Sequence, residues 1–194
     1  MQIKILQKEE KILREISKEV RLGDIKTKKI KKVLREMKKA LKSQDDGVAI
    51  AAPQIGYSLR IFIVSGKVFH KDFMINRTER FEGERPMEDV KIIDPAEEGP
   101  AVNDLVFINP KISRLSRKRE WVPEGCLSVR PFYGKTFRSV KATVTALDEN
   151  GHKFARGASG ILAQIFQHET DHLNGILFID HAKEIKAETP QKSL

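Results

Sequence analysis

Two histidines, His168 and His172, stand four residues apart, with Glu169 directly after the first. On a helix, positions i and i+4 lie one above the other on the same face. Two imidazoles placed this way can hold one metal ion, and a carboxylate one position on can reach a water at that ion. That is equipment for hydrolysing an amide. A catalytic site of this kind needs a third protein ligand. The chain has one cysteine, Cys126, in the run Pro123-Glu124-Gly125-Cys126-Leu127-Ser128.

Each of these features has a plainer reading. A free cysteine usually behaves as a small buried hydrophobe. The flanks of Cys126 favour a site loop instead: Gly125 permits close backbone approach, and Glu124 and Ser128 lie within two residues. The histidines could be core or surface side chains beside an ordinary glutamate. Against this, Ile161, Ile165 and Leu173 put the apolar side of the helix next to them, and buried imidazoles need partners. A third stretch, Gly47-Val48-Ala49-Ile50-Ala51-Ala52-Pro53-Gln54-Ile55-Gly56, is crowded with small residues. It is either a packed turn or a place where another chain approaches the backbone, with Gln54 offering an amide N–H to a carbonyl oxygen.

The elements that must position these residues are partly legible. Residues 159–174 carry helical spacing through Ile161, Leu162, Ile165, Phe166, His168 and His172, with Gly175 as a C-terminal stop. Ile30, Val33, Leu34, Met37, Ala40 and Leu41 predict an amphipathic helix over 25–43, with Asp24 as its cap. Residues 8–21 read as a short helix or an extended entry. Residues 60–64 and 105–108 read as buried strands, and 139–148 as a strand ending in a turn at Asp148-Glu149-Asn150-Gly151. The order predicts an α+β fold, with mixed or antiparallel strands packed around a late metal-binding helix. The 194 residues suit a single catalytic domain, 1–194. Residues 65–104 stand apart, because a structureless excursion of that length is uncommon in a compact domain.

Composition bounds the setting. An apolar share of 40% suits a globular protein, and no apolar run approaches the roughly 18–20 residues of a membrane span. The start Met1-Gln2-Ile3-Lys4-Ile5-Leu6 runs into charged residues and gives no signal-peptide core. With one cysteine, no internal disulfide forms. A reducing, cytoplasmic setting without a membrane partner is therefore expected. The net charge is +9 and unevenly spread: residues 1–45 hold 15 Lys/Arg against 7 Asp/Glu, whereas 79–104 hold 9 Asp/Glu against 3 Lys/Arg. The basic part is either a solvated helix face or a surface for RNA, such as that of a ribosome.

Taken together and in order, the three stretches resemble the peptide deformylase family. It has a glycine-rich stretch ending in Ala-Ala-Pro-Gln (here 47–56), a Glu-Gly-Cys-Leu-Ser loop (124–128) and a Gln-His-Glu-x-Asp-His helix (167–172). The linking Ile108-Asn109-Pro110 and Leu173-Asn174-Gly175-Ile176-Leu177-Phe178 are similar as well. The resemblance implies removal of the formyl group from N-formyl-methionyl peptides, with release of formate. It implies one divalent metal per chain held by Cys126, His168 and His172, with Fe²⁺ natively. Zn²⁺, Ni²⁺ and Co²⁺ suit the same ligands. Glu169 would take a proton from water and pass it to the departing amine. The Gln54 side chain and the Leu127 N–H would hold the oxyanion. The peptide would dock as an added strand along Gly47, Val48 and Ala49 and near Gly125, with Val48, Ile161 and Ile165 walling the methionine pocket. Arg138 would pair with Asp171 and hold the motif helix against a strand.

The chain departs from the family pattern at three places. Ala49 replaces a second glycine beside the substrate strand. The excursion at 65–104 is long. Residues 183–194 are short and polar where many bacterial relatives add a helix used at the ribosome. Two other readings compete: a peptidase using the same helix, and a non-enzymatic binding protein whose basic N-terminal region is its working surface.

Overall fold

The structure, a computed structural model, describes residues 3–69 and 103–187. The acidic part of the excursion (70–102) and the last seven residues lie outside the described residues.

Helix α1 spans Lys28–Lys42 and buries Ile30, Val33, Leu34, Met37, Ala40 and Leu41, the stripe expected from their spacing. Its cap is Thr27, whose Oγ1 accepts from the Ile30 N–H at 3.4 Å, and not Asp24. Asp24 closes the preceding 3-10 turn, and its carbonyl accepts the Thr27 hydroxyl at 2.6 Å. The like-charge pairs Lys28/Lys32, Lys31/Arg35, Arg35/Lys39 and Lys38/Lys42 stand at i,i+4 on α1. Each opposes the helix by about 0.2–0.5 kcal/mol. Burying a single Ile, Leu or Met contributes roughly 1.5–3 kcal/mol, so the apolar stripe forms the helix despite its charges.

The larger sheet runs in the order β1 (Ala49–Ala51), β2 (Ile61–Val64), β3 (Leu105–Leu115), β6 (Lys141–Leu147), β7 (Lys153–Ser159), every pair antiparallel. Side chains alternate across it. Ile50, Ile61, Ile63, Val106 and Ile108 face α1. Phe62, Val64, Phe107 and Val144 face helix α2 (Gly160–Leu173), with Phe107 against Phe166 at 5.2 Å between ring centres. The two helices therefore cover opposite faces of one sheet. A second sheet joins β4 (Arg119–Gly125), β5 (Phe132–Ser139) and β8 (Lys183–Ala187). The antiparallel β4–β5 pair is absent from the sequence expectation. So are β7 and β8, the last within the residues read as a polar tail.

The entry segment is mostly extended, with 3-10 turns at Lys11–Arg14 and Leu22–Asp24. It anchors the late helix. The Ser17 N–H donates to the Leu173 carbonyl at 2.9 Å, and Arg60 Nη1 donates to the same oxygen at 3.2 Å. These bonds satisfy a carbonyl that the end of α2 leaves orphaned. Gly175 follows with φ of 73°, and a Cβ there would come within 2.6 Å of the Arg14 carbonyl oxygen. Conformation and space both require glycine at this stop. Asn109 clamps the same segment: its Oδ1 accepts from the Val20 N–H and its Nδ2 donates to the Val20 carbonyl, both at 2.8 Å.

Candidate active site

Strand β4 delivers Glu124 and Gly125 and then turns, placing Cys126 against α2. A Cβ at Gly125 would come within 2.4 Å of the Tyr133 ring, so only glycine lets the β4–β5 pair close at this point. Gln7 Nε2 donates to the Leu127 carbonyl at 3.1 Å and holds the loop from the other side. The donor atoms of Cys126, His168 and His172 all lie within 4.8 Å of one another. Cys126 Sγ stands 3.1 Å from His172 Nε2. Ligands at about 2.0–2.3 Å from one ion are at most about 4.6 Å apart, so the cluster is close to the span a single ion needs. One thiol sulfur and two imidazole nitrogens also match the donor set of hydrolytic metal sites. His172 is buried, and Cys126 and His168 are mostly buried.

Glu124 fixes the tautomer of the first histidine. His168 Nδ1 donates to Glu124 Oε1 at 2.7 Å, which turns Nε2 to the cluster. Glu124 is itself held at four points. Arg138 donates through Nε at 2.9 Å and Nη2 at 2.7 Å, Thr136 Oγ1 donates at 2.7 Å, and Gln164 Nε2 donates at 3.3 Å. The remaining arm of Arg138 reaches Asp171 Oδ2 at 2.6 Å. The expected Arg138–Asp171 pair is present, but it is one branch of a network centred on Glu124. Gln164 also donates to the Pro123 carbonyl at 2.8 Å. Gln167 makes a reciprocal pair with the Ser139 backbone at 3.0 and 2.9 Å. Residues 164, 167, 168 and 171 form one polar stripe along α2, and that stripe staples the helix to β4 and β5.

The charges follow from this packing. Burial works to raise the Glu124 carboxyl, but in the metal-free chain, where His168 carries a second proton that a metal would displace, His168 and the Arg138 guanidinium outweigh it and hold Glu124 well below the usual carboxylate range. Burial likewise works against charge on His168, and the Glu124 carboxylate beside it reverses the balance and raises it. His172 is held well below the ordinary imidazole value, first by burial and then by His168. It is therefore neutral, with a lone pair to offer a metal. Burial pushes Glu169 up to about 7. Among the described residues, Glu169 Oε2 is one of four buried side-chain atoms without a hydrogen-bond partner. Leaving such an atom unpaired costs free energy, and a water at the metal would satisfy it.

Gln54 lies at the other edge of the cluster, fully buried on a 3-10 turn over Ala52–Ile55. Its Oε1 accepts from the Ala51 N–H at 2.8 Å, which orients the amide. Nε2 then donates to Ser128 Oγ at 3.1 Å and approaches Cys126 Sγ at 3.5 Å. Val48 precedes and Ala49 opens β1, which among the described residues has β2 as its one neighbour in the sheet. Gly47 is buried against Gln44, Leu41 and Leu127 and admits no side chain without displacing them. Ile161 and Ile165 belong to the core on the α2 side, and Val48 packs against that core. Sequence reasoning missed Glu124 as a site residue, together with Thr136, Gln164, Gln167 and Ser128. Signals existed for four of them: Glu124 and Ser128 flank Cys126 in its loop, and Gln164 and Gln167 share the helical spacing of His168 and Asp171.

A family model described as polypeptide deformylase matches residues 2–188. Peptide deformylase 1A, chloroplastic, of Solanum lycopersicum is 36% identical over 169 residues, which is 87% of this chain and 55% of that protein. Peptide deformylase of Rhizobium meliloti is 44% identical over 95 residues, 49% of this chain and again 55% of that protein. The chain thus spans about half the length of these two relatives. Peptide deformylase 2 of Clostridium acetobutylicum is matched end to end: 35% identity over 176 residues, 91% of this chain and 92% of that one. The actinonin-bound crystal structure of a class I type b peptide deformylase from Acinetobacter baumannii superposes with a TM-score of 0.72 at 27% identity. It covers 94% of this chain and 99% of that one. A Plasmodium falciparum peptide deformylase in complex with an inhibitor gives 0.67 at 30% identity, over 93% and 90% of the two chains.

Proposed function

Because the chain belongs to the polypeptide deformylase family, we propose that it hydrolyses the N-formyl group of formyl-methionyl peptides and releases formate. One observation carries the reading: Cys126, His168 and His172 share a cluster no wider than 4.8 Å, and Glu169, next after His168 on the same helix, holds a buried carboxylate oxygen without a partner. A divalent metal held by these three residues, Fe²⁺ by family resemblance, supplies Lewis acidity and makes water a stronger acid at neutral pH.

The protein does the rest. Glu169 accepts a proton from the attacking water through Oε2 and later delivers it to the departing amine nitrogen. The side-chain amide of Gln54 carries two hydrogens. One serves Ser128, and the other, which meets Cys126 Sγ at 3.5 Å, turns to the formyl oxygen together with the Leu127 N–H. The edge of β1 away from β2 accepts the peptide backbone as an added strand along Gly47, Val48 and Ala49, with Gly125 opposite. Val48, with Ile161 and Ile165 behind it, supplies the apolar wall for the methionine side chain. Glu124, Arg138 and Asp171 keep His168 oriented and do not touch the substrate.

The ribosome, where formylated chains emerge, is the proposed place of action. A reducing cytoplasm suits a sulfur ligand. Among the described residues no helix is long and apolar enough to cross a membrane. The test is Glu169→Gln, with bound metal and formate measured on one preparation. One metal per chain is expected to remain while formate release falls by about 10²–10⁴-fold. Near-normal release from that variant would remove Glu169 from the chemistry.

A further inference from the structure

The outer face of α1 has no part in the chemistry above, and apart from Lys39 and Lys42 in the last turn and the Lys32–Glu36 pair its charges work against the helix that carries them. Lys28–Lys42 holds eight basic residues and one acid, Glu36. The first turn of α1 contains no acidic residue and begins with Lys28 and Lys29, where the helix dipole disfavours cations. Glu36 is engaged by the Tyr57 hydroxyl at 2.6 Å. Charges that oppose the stability of their own helix point to a use outside it.

Their arrangement narrows that use. Lys28, Lys31, Arg35, Lys38 and Lys42 recur at i, i+3, i+7, i+10 and i+14, a stripe about 21 Å long at about 1.5 Å per residue. It ends at a notch of ≈ 460 Å³ whose lining includes Lys38, Lys39, Lys42 and Lys67 with Leu41 and Asp104, and where Lys67 Nζ donates to the Gln44 and Asp45 carbonyls. Every apolar side chain of α1 is buried in the core between the helix and the sheet. A helix that inserts into a membrane surface needs an exposed apolar face, and a stable protein interface usually has an apolar centre. The outer face of α1 offers neither. What it offers is a line of cations, and a line of cations fits a line of phosphates.

We propose that the outer face of α1, from Lys28 to the Lys42 notch, is a docking surface for the phosphate backbone of RNA. This goes beyond the deformylase reading and does not depend on it. The sheet separates α1 from α2, so RNA on this face lies across the sheet from the metal ligands that α2 carries. Lys38 is engaged by Glu149 at 3.2 Å, which leaves about four stripe cations to neutralise phosphates.

The test uses the full chain and a fluorescently labelled RNA hairpin, with anisotropy followed over a range of salt. Wild type is expected to bind with a log Kd that rises with log salt at a slope of about 3. Lys31→Gln/Arg35→Gln/Lys42→Gln is expected to weaken binding at least about tenfold and to lower the slope by about 2. Formate release from a short peptide should be unchanged. A control variant removes the same charge near the β3–β4 end, through Arg114→Gln/Arg117→Gln/Lys118→Gln, and should bind nearly as wild type does. Equal loss in both variants would overturn the proposal in favour of undirected net charge. So would absent RNA binding by wild type, or sedimentation with phosphatidylserine vesicles in place of RNA binding. Failure of the deformylase reading would appear separately, as absent formate release with RNA binding intact.

Discussion

Helices α1 and α2 lie on opposite faces of the same sheet and place their polar residues in opposite ways. α1 keeps its buried side wholly apolar and sends its charges outward. α2 buries Gln164, Gln167, Glu169, Thr170 and His172 among its apolar residues. Burying polar groups costs free energy unless they are paired: Gln164 and Gln167 are paired to β4 and β5, Thr170 to the Phe166 carbonyl of its own helix, and Glu169 keeps an unpaired oxygen. The side of the sheet that carries a polar interior is the side where chemistry is possible. The other side is an ordinary core with a charged exterior.

The contrast can be broken most severely at Arg138. Replacing it with Ala leaves Glu124 and Asp171 without their guanidinium in a buried setting. Such losses cost about 3–5 kcal/mol, and chemical denaturation should show it, with weakened metal binding alongside. Unchanged melting and metal affinity would mean that the polar stripe of α2 is not a staple. A comparable exchange on α1, Arg35→Gln, should shift melting very little.

Glu169 tests the cost of burying a charge where a catalyst needs one. Its carboxyl rises from an ordinary 4.5 to about 7 in the metal-free chain. Between those values the unfolded chain loses this proton and the folded chain keeps it. Stability therefore falls as pH rises from about 4.5 to 7 and stays low above that. In chelator-treated protein, Glu169→Gln should be more stable than wild type at pH 8, by up to about 3 kcal/mol for a shift of about 2.5 units. The gain should vanish at pH 4. A gain of equal size at both pH values would mean that the effect is not ionisation.

A smaller effect is expected at Glu124. Glu124→Gln keeps a hydrogen-bond acceptor for His168 Nδ1 but removes the charge. Changes to such supporting groups typically weaken metal binding by about 10–100-fold, which competition with a chelator can measure. Wild-type affinity would leave Glu124 as a structural partner of Arg138 alone. The smallest effect belongs to Ala49→Gly. A glycine in a strand costs roughly 0.5–1 kcal/mol, and formate release should persist. Collapse of activity would show that the β1 edge is built around the alanine methyl.

Much of this was legible in the sequence because it is local. His168, Glu169 and His172 sit within one helical turn, and Cys126 and Gln54 sit in short runs with their own chemistry. The α1 stripe was legible because its period matches a helix. The network around Glu124 was not, because it arises from pairing between β4 and β5. Those segments, Arg-Glu-Trp-Val-Pro-Glu-Gly and Phe-Tyr-Gly-Lys-Thr-Phe-Arg-Ser, show no simple apolar alternation. Their inward positions are filled by Glu124, Thr136 and Arg138, the very residues that hold the site. The cap of α1 was misplaced for a related reason: Asp24 and Thr27 are both good caps, and the 3-10 turn that absorbs Asp24 leaves no sequence signal.

The proposed activity is tested by offering a formyl-methionyl peptide to protein prepared anaerobically with one Fe²⁺ per chain, then identifying the products. Formate and the intact, deformylated peptide are expected in equal amounts. Cleavage at an internal peptide bond, or no product from fully metal-loaded protein, would contradict the assignment of Cys126, His168, His172 and Glu169 to deformylation.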